Sequence, residues 1–329
     1  MEALVIVRPR TWELKTRSLE IERLPIIMGI LNTTPDSFSD GGRYRSDNTD
    51  QFEIDIEKIV ATARAMLRDG AGILDVGGES TRPGSEPISE AEELRRVIPV
   101  IRALHEAFDA PISVDTYRPE VANAALESGA EIINDISAGR YIGTEQRLAG
   151  ETETGFPEEM AEVALRHGAG VVLMHMRPFD EPEKYPNGVM EEVFAFLKRR
   201  RNRFIELGVS LDKLAFDPGL GFGKTFDQNW ELLRRVEMLS ALGGVTLVGD
   251  SRKRFLVETA WRFNASRGVD SDEFVDPTSL STRDAVTAST TVSLARRGVE
   301  IIRIHNVAIS AFALETANRA GDLDVLGPT

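Results

Sequence analysis

Short apolar runs recur along the chain, and amphipathic stretches fill the spaces between them. The runs are Pro25–Leu31, Gly72–Val76, Ile112–Val114, Glu131–Asn134, Gly170–Met174, Leu214–Phe216, Val245–Val248 and Ile301–Ile304. Each is roughly five residues long, rich in Val, Ile and Leu, and bounded by Gly or Pro, which is the pattern of a parallel strand covered on both faces. Phe52–Arg68 carries Ile56, Ile59, Val60, Ala63 and Leu67 on one helical stripe. Ser89–Glu106 opens with Ser89 and Glu92 at capping-box spacing. Pro119–Ser128, Pro157–His167, Glu191–Leu207, Asn229–Leu239, Ala285–Arg297 and Ser310–Arg319 complete the predicted helices. Gly70, Gly129, Gly168, Gly208 and Gly298 stand at or just past helix ends, where a left-handed cap suits glycine.

Strand and helix thus alternate eight times without a break in composition. The fold class this predicts is α/β, a closed (β/α)8 barrel of the TIM type in a single domain over residues 25–329, preceded by an N-terminal extension over residues 1–24. An open doubly wound sheet is the competing arrangement and needs a reversal of strand order. Three segments stand outside the repeat. Met1–Leu24 reads as an extra strand or hairpin covering the barrel bottom, Gly139–Gly155 as an inserted loop, and Asn264–Ser281 as a polar, acidic insertion between the seventh strand and a later helix.

The chain of 329 residues is 42% hydrophobic and 28% charged, enough apolar material for a large core. A net charge of −14 argues against nucleic acid or an anionic membrane as the main partner, since both require basic surface. There are no cysteines, which removes disulfides, thiolate nucleophiles and Cys-ligated metals. No stretch reaches the roughly 18 apolar residues of a membrane helix, and the N-terminus lacks a signal-like apolar core. These features predict a cytoplasmic protein.

In such a barrel, chemistry gathers at the C-terminal strand ends, and polar groups stand at each of them here. Strand one leads into Asn32-Thr33-Thr34-Pro35-Asp36-Ser37-Phe38-Ser39-Asp40-Gly41-Gly42, and strand two into Asp75-Val76-Gly77-Gly78-Glu79-Ser80-Thr81-Arg82-Pro83-Gly84. Strand three ends in Asp115, strand four in Asn134 and Asp135, and strand five in His175. Strand six leads into Asp217–Lys224, strand seven into Gly249–Lys253, and strand eight into Arg303-Ile304-His305-Asn306. Packing alone does not account for a polar group at every strand end; a polar, anion-competent site does.

These motifs, in this order, resemble the signature stretches of dihydropteroate synthases over the chain from about Ile26 onward. The resemblance implies condensation of 6-hydroxymethyl-7,8-dihydropterin pyrophosphate with 4-aminobenzoate to dihydropteroate and pyrophosphate, an Mg2+ ion, and a homodimer. Asp115, Asn134, Asp217 and Lys253 match the pterin pocket, where carboxylates accept from the amino-pyrimidinone edge and an ammonium meets its carbonyl side. Asn32, Arg303 and His305 match the pyrophosphate end: Arg offers a fork of donors, His another, and Asn32 an amide oxygen for Mg2+. Phe38, Asp40, Ser80, Thr81, Arg82 and Pro83 match two rim loops that close over the amine, and Phe222, Lys224 and Ser251 are expected to line the site. Sulfonamide binding follows from the same resemblance, because such drugs mimic the amine.

Other features have plainer readings. His175 has no second His at metal-ligand spacing, so a zinc site is not expected. Gly219–Lys224 lacks the ending of a nucleotide-binding P-loop. Lys198–Arg201 reads as a solvated basic face. The chain departs from the family at Asn306, where Asp is usual, and around His175–Pro178, where a Gly is common. A pterin-dependent methyltransferase and a catalytically silent pterin-binding protein remain the alternatives.

Overall fold

The computed structural model describes residues 11–33, 54–80, 85–142, 147–148, 158–177, 185–268 and 276–323. A hairpin of β1 (Thr11–Glu13) and β2 (Ser18–Glu20) comes first. The repeat then runs β3 (Ile26–Asn32), α1 (Ile56–Arg68), β4 (Ala71–Gly77), α2 (Glu90–Ala107), β5 (Ile112–Asp115), α3 (Pro119–Glu127) and β6 (Ile132–Asp135). A two-stranded ladder, β7 (Tyr141–Ile142) with β8 (Arg147–Leu148), lies within the segment expected to be an inserted loop. The repeat resumes with α4 (Glu159–His167), β9 (Gly170–Met174), α5 (Val189–Glu206), β10 (Leu214–Asp217), α6 (Phe226–Arg234), β11 (Val245–Val248), α7 (Arg254–Ser266), α8 (Leu280–Arg296), β12 (Ile301–Ile304) and α9 (Val307–Arg319).

Eight parallel strands close in the order β3, β4, β5, β6, β9, β10, β11, β12. Closure is made by β12 against β3, from Ile301 opposite Ile26 to Ile304 opposite Gly29. An open doubly wound sheet has no such pairing, so the barrel reading holds.

Residues along each strand alternate between two apolar layers, as the two-residue strand period requires. Met28, Ile73, Ile132, Val172, Ala215, Val245, Leu247 and Ile301 fill the barrel interior. Ile27, Leu74, Val114, Ile133, Val171, Phe216, Val248 and Ile302 pack outward with the helices. Trp12 and Leu14 join the interior layer, so the hairpin plugs the N-terminal mouth. The indole N–H of Trp12 donates to the Lys213 carbonyl at 3.0 Å, and the Lys213 ammonium returns a bond to the Leu14 carbonyl at 3.1 Å. Thr16 and Arg17 both bind the Glu131 carboxylate just before β6.

Four expectations need correction. Helix α7 was not expected: it covers Arg254–Ser266, and α8 starts at Leu280, so the segment read as an insertion over Asn264–Ser281 has helix at both ends. Ser89 caps α2 as expected, but Glu92 turns to Arg95 and Arg96 instead of reaching back to Ser89, so only half the capping box forms. The complete capping box is at Thr225 and Gln228, which start α6 earlier than expected; α6 then stops at Arg234 and a 3-10 turn follows. Within the basic run on α5, Arg200 is buried, donating to the Ala138 carbonyl at 2.7 Å.

Candidate active site

The strand period that fills the barrel also aims the site. Counting two residues on from the interior layer, Ile73 leads to Asp75, Ser113 to Asp115, Ile132 to Asn134, Ala215 to Asp217, and Ile301 to Arg303. Each polar side chain therefore continues an inward-facing row at the C-terminal mouth. Asn32 ends the row that contains Met28, and Gly249 the row that contains Leu247.

Arg303 is the hub. Its Nε donates to Asp75 Oδ2 and its Nη2 to Asp115 Oδ2, both at 2.6 Å. The Asn134 amide donates to both Asp75 oxygens at 3.3 and 3.4 Å. Asp75 is fully buried and was given no role by sequence reasoning, although it belongs to the strand-two motif; its inward parity with Ile73 was the available signal. Burial pushes the Asp115 carboxyl up to about 7, against the pull of Arg303. Burial also raises Asp217, against Lys253, while Asp217 accepts the Gly219 N–H at 2.7 Å.

Lys253 enters from the turn after β11. Its ammonium donates to the Leu220 carbonyl and stands 4.5 Å from the centre of the Phe222 ring. Removal from water lowers its pKa to about 8, with Asp217 opposing the shift. Glycine keeps the space between these groups open. A Cβ at Gly249 would lie 3.6 Å from the Arg303 Cβ and 3.8 Å from Asp217 Oδ2. One at Gly77 would lie 3.5 Å from Asn32 Oδ1 and 3.6 Å from Asp115 Oδ2. Asn32, Asp115, Asp217, Lys253 and Arg303 thus gather at one mouth of the barrel.

Ser251 and His305 meet across the ends of β11 and β12. The Ser251 hydroxyl accepts the His305 N–H at 3.2 Å and lies 3.0 Å from His305 Nδ1. Ser80 sits at the neck of the second rim loop, its carbonyl accepting from Ser85 Oγ at 2.5 Å. Behind it, Arg118 is buried and bonds Glu79, Glu93 and the Ile88 carbonyl. Phe38, Asp40, Thr81, Arg82 and Pro83 lie outside the described residues.

Lys224 lies beside the loop after β10. Its ammonium donates to the carbonyls of Gly219 at 2.8 Å and Phe222 at 3.0 Å and meets His175 Nδ1 at 3.1 Å. It fastens that loop to the end of β9. His175 is fully buried against Phe196, and burial together with Lys224 holds its pKa well below the usual imidazole value, so it is neutral. Gly219 makes the arrangement possible: with φ at 67°, a Cβ there would fall 1.8 Å from the His175 carbonyl oxygen.

Asn32 suits a magnesium ion that keeps most of its water and phosphate ligands, because an amide oxygen is a hard neutral donor. Among the described residues no three His, Cys, Asp or Glu side chains gather as a metal cage.

Comparison with known proteins agrees with this geometry. A family model described as pterin binding enzyme matches residues 28–305. The dihydropteroate synthase of Streptococcus pyogenes serotype M3 is 38% identical over 294 residues, covering 89% of this chain and 95% of that one. A Xanthomonas albilineans dihydropteroate synthase structure with 4-aminobenzoic acid superposes with a TM-score of 0.75 at 35% identity, covering 94% of this chain and 98% of the other. The same enzyme in complex with 7,8-dihydropteroate gives 0.73 at 33% identity, with the same coverage. A barrel whose polar rows converge in this way, and a likeness running almost the length of both chains, place this protein in the dihydropteroate synthase family of pterin-binding enzymes.

Proposed function

We propose that this chain condenses 6-hydroxymethyl-7,8-dihydropterin pyrophosphate with 4-aminobenzoate to give dihydropteroate and pyrophosphate, a step of folate biosynthesis. The observation that carries the reading is the convergence of Asp115, Asn134, Asp217 and Lys253 at one mouth of the barrel, beside Arg303. Asp217 accepts from the amino-pyrimidinone N–H groups, Asn134 and Asp115 complete the edge, and the Lys253 ammonium donates to its carbonyl side. Phe222, beside that ammonium, supplies an apolar wall.

In the reaction the methylene C–O bond breaks and its electron pair leaves on pyrophosphate. The amine nitrogen forms the new C–N bond and releases a proton. Arg303 and His305 stabilise the departing polyanion, and the pterin ring spreads the positive charge left on the methylene. Arg303 is held by Asp75 and Asp115 before substrate arrives, so its guanidinium is oriented in advance. Asn32 would hold the Mg2+ ion, which supplies charge neutralisation at the pyrophosphate. Ser80 and Ser251 supply hydrogen bonds near the amine, with Phe38, Asp40, Thr81, Arg82 and Pro83 closing over it. Lys224 serves by fixing the Gly219–Phe222 loop. Sulfonamides would compete for the amine position.

No helix among the described residues is long and apolar enough to cross a membrane, and the proposed location is the cytoplasm. A homodimer formed through α8 and α9 is supported by Phe312 and Ile309, which leave α9 with 74% and 42% exposure; sedimentation equilibrium measures it. The reaction is tested by pyrophosphate release with pterin pyrophosphate, 4-aminobenzoate and Mg2+, each omitted in turn. Release that needs all three, with dihydropteroate formed, supports the reading. A folded protein that binds the pterin without release overturns it.

A further inference from the structure

The turn after β11 holds a residue in a conformation that L-amino acids avoid. Arg252 has a φ of 60°, in the left-handed region. Strain of this kind persists only where the surroundings over-determine it. Here α8 does so twice: the Arg252 N–H donates to Thr287 Oγ1 at 3.1 Å, and its guanidinium forks onto Asp284, Nε to Oδ1 at 2.6 Å and Nη2 to Oδ2 at 3.0 Å.

Asp284 has a second client. Its Oδ2 also accepts from the Asn306 amide at 2.7 Å, while Asn306 Oδ1 caps α9 by accepting the Ile309 N–H at 3.4 Å. One buried carboxylate on a helix outside the barrel therefore ties the end of β11 to the end of β12. Inside the mouth, Ser251 and His305 make a parallel tie. Arg252 stands between Ser251 and Lys253, so any change in its backbone angles swings both.

We propose that Arg252, Asp284 and Asn306 form a positioning clasp that sets Lys253 and Ser251 relative to Arg303 and His305. This rests on the function proposed above, in which Lys253 holds the pterin and Arg303 with His305 holds the leaving pyrophosphate. The bond that breaks lies between those two groups of residues, so their separation governs alignment in the transition state. The choice of Asn at 306 argues for the clasp. Ser, Asp or Asn would all cap a helix. Among these, Asn both caps α9 and reaches a buried carboxylate with a donor; Asp would set two carboxylates against each other.

The test compares wild type, Asn306→Asp, Asn306→Ser and Asp284→Asn, which takes one oxygen and the charge from the Arg252 fork. Asn306→Ser keeps a cap but falls short of Asp284, and serves if Asn306→Asp does not fold. Readouts are kcat and KM for pterin pyrophosphate, equilibrium pterin affinity without amine, and the thermal midpoint. The clasp predicts kcat/KM lower by about ten- to hundredfold in a folded single variant, the loss of a hydrogen bond to a charged group. It also predicts weaker pterin binding in each folded single variant. A single variant with a lower midpoint but wild-type kcat, KM and pterin affinity would reduce the three residues to packing and overturn the proposal. If wild type binds pterin but releases no pyrophosphate, the function fails while the pterin affinities still test the clasp.

Discussion

At the N-terminal mouth of the barrel, Trp12 and Leu14 press onto Met28, Ile73, Ile132 and Ile301. At the C-terminal mouth, the same inward rows end in Asp75, Asp115, Asn134, Asp217 and Arg303. The first is filled by apolar side chains, whereas the second gathers buried charged groups. Carboxylates whose ionised form is disfavoured by burial, and an ammonium lowered to about 8, weaken the fold where they stand. The plugged mouth offsets that. A barrel of identical construction at both ends would be more stable and could bind nothing charged.

The contrast can be broken from either side. Trp12→Ala should have the largest effect on the fold, about 3–5 kcal/mol lost in urea unfolding, with kcat/KM of the folded protein unchanged. Lys253→Ala should reverse the pattern, lowering kcat/KM about 10²–10³-fold with a native circular dichroism spectrum; normal turnover in the purified variant would remove Lys253 from the site. Asp75→Asn touches both properties. It leaves Arg303 with one carboxylate and should reduce kcat/KM about tenfold, with lower stability as well, because it weakens a buried charge-assisted bond. The smallest effect is that of pH. Lys253 donates only while protonated and Asp115 accepts only while ionised. The pH profile of kcat/KM should therefore fall above about 8 and below about 7, as pKa values pertaining to the coupled site. An alkaline limb unmoved in Lys253→Arg would assign that limb to another group.

The two mouths also differ in how far they could be read beforehand. The eight strands were legible because both their faces are apolar, and the barrel followed from their number and spacing. Helix α7 was not. Its N-cap residue, Lys253, makes no side-chain cap, its first turn has no acidic residue, and the exposed Trp261 and Phe263 stand beside the buried Phe255, Leu256 and Ala260, which blurs the stripe. At the site, the residues found stand in the last two positions of their strands or beyond, whereas Asp75 lies deeper in β4 and shows its purpose only once Arg303, far along the chain, is folded against it. Lys224 shows the converse. It was expected only to line the site; the left-handed turns at Gly219, Gly221 and Gly223 bring the chain round so that its ammonium also meets the carbonyls of Gly219 and Phe222. Parity along a strand survives translation into three dimensions; direction out of a glycine turn does not.

Closure of β12 on β3 has a consequence for biosynthesis. The strand that seals the barrel is the last of its eight strands in chain order, and it carries Arg303. Until it arrives, the edges of β3 and β11 lack their partners and the carboxylates of Asp75 and Asp115 lack their counter-charge. The nascent chain must therefore carry an open, apolar-edged sheet through most of its synthesis, the kind of species that chaperones hold and proteases clear. A chain cut before Ile301 would lack both the closing strand and Arg303, and the barrel could not seal.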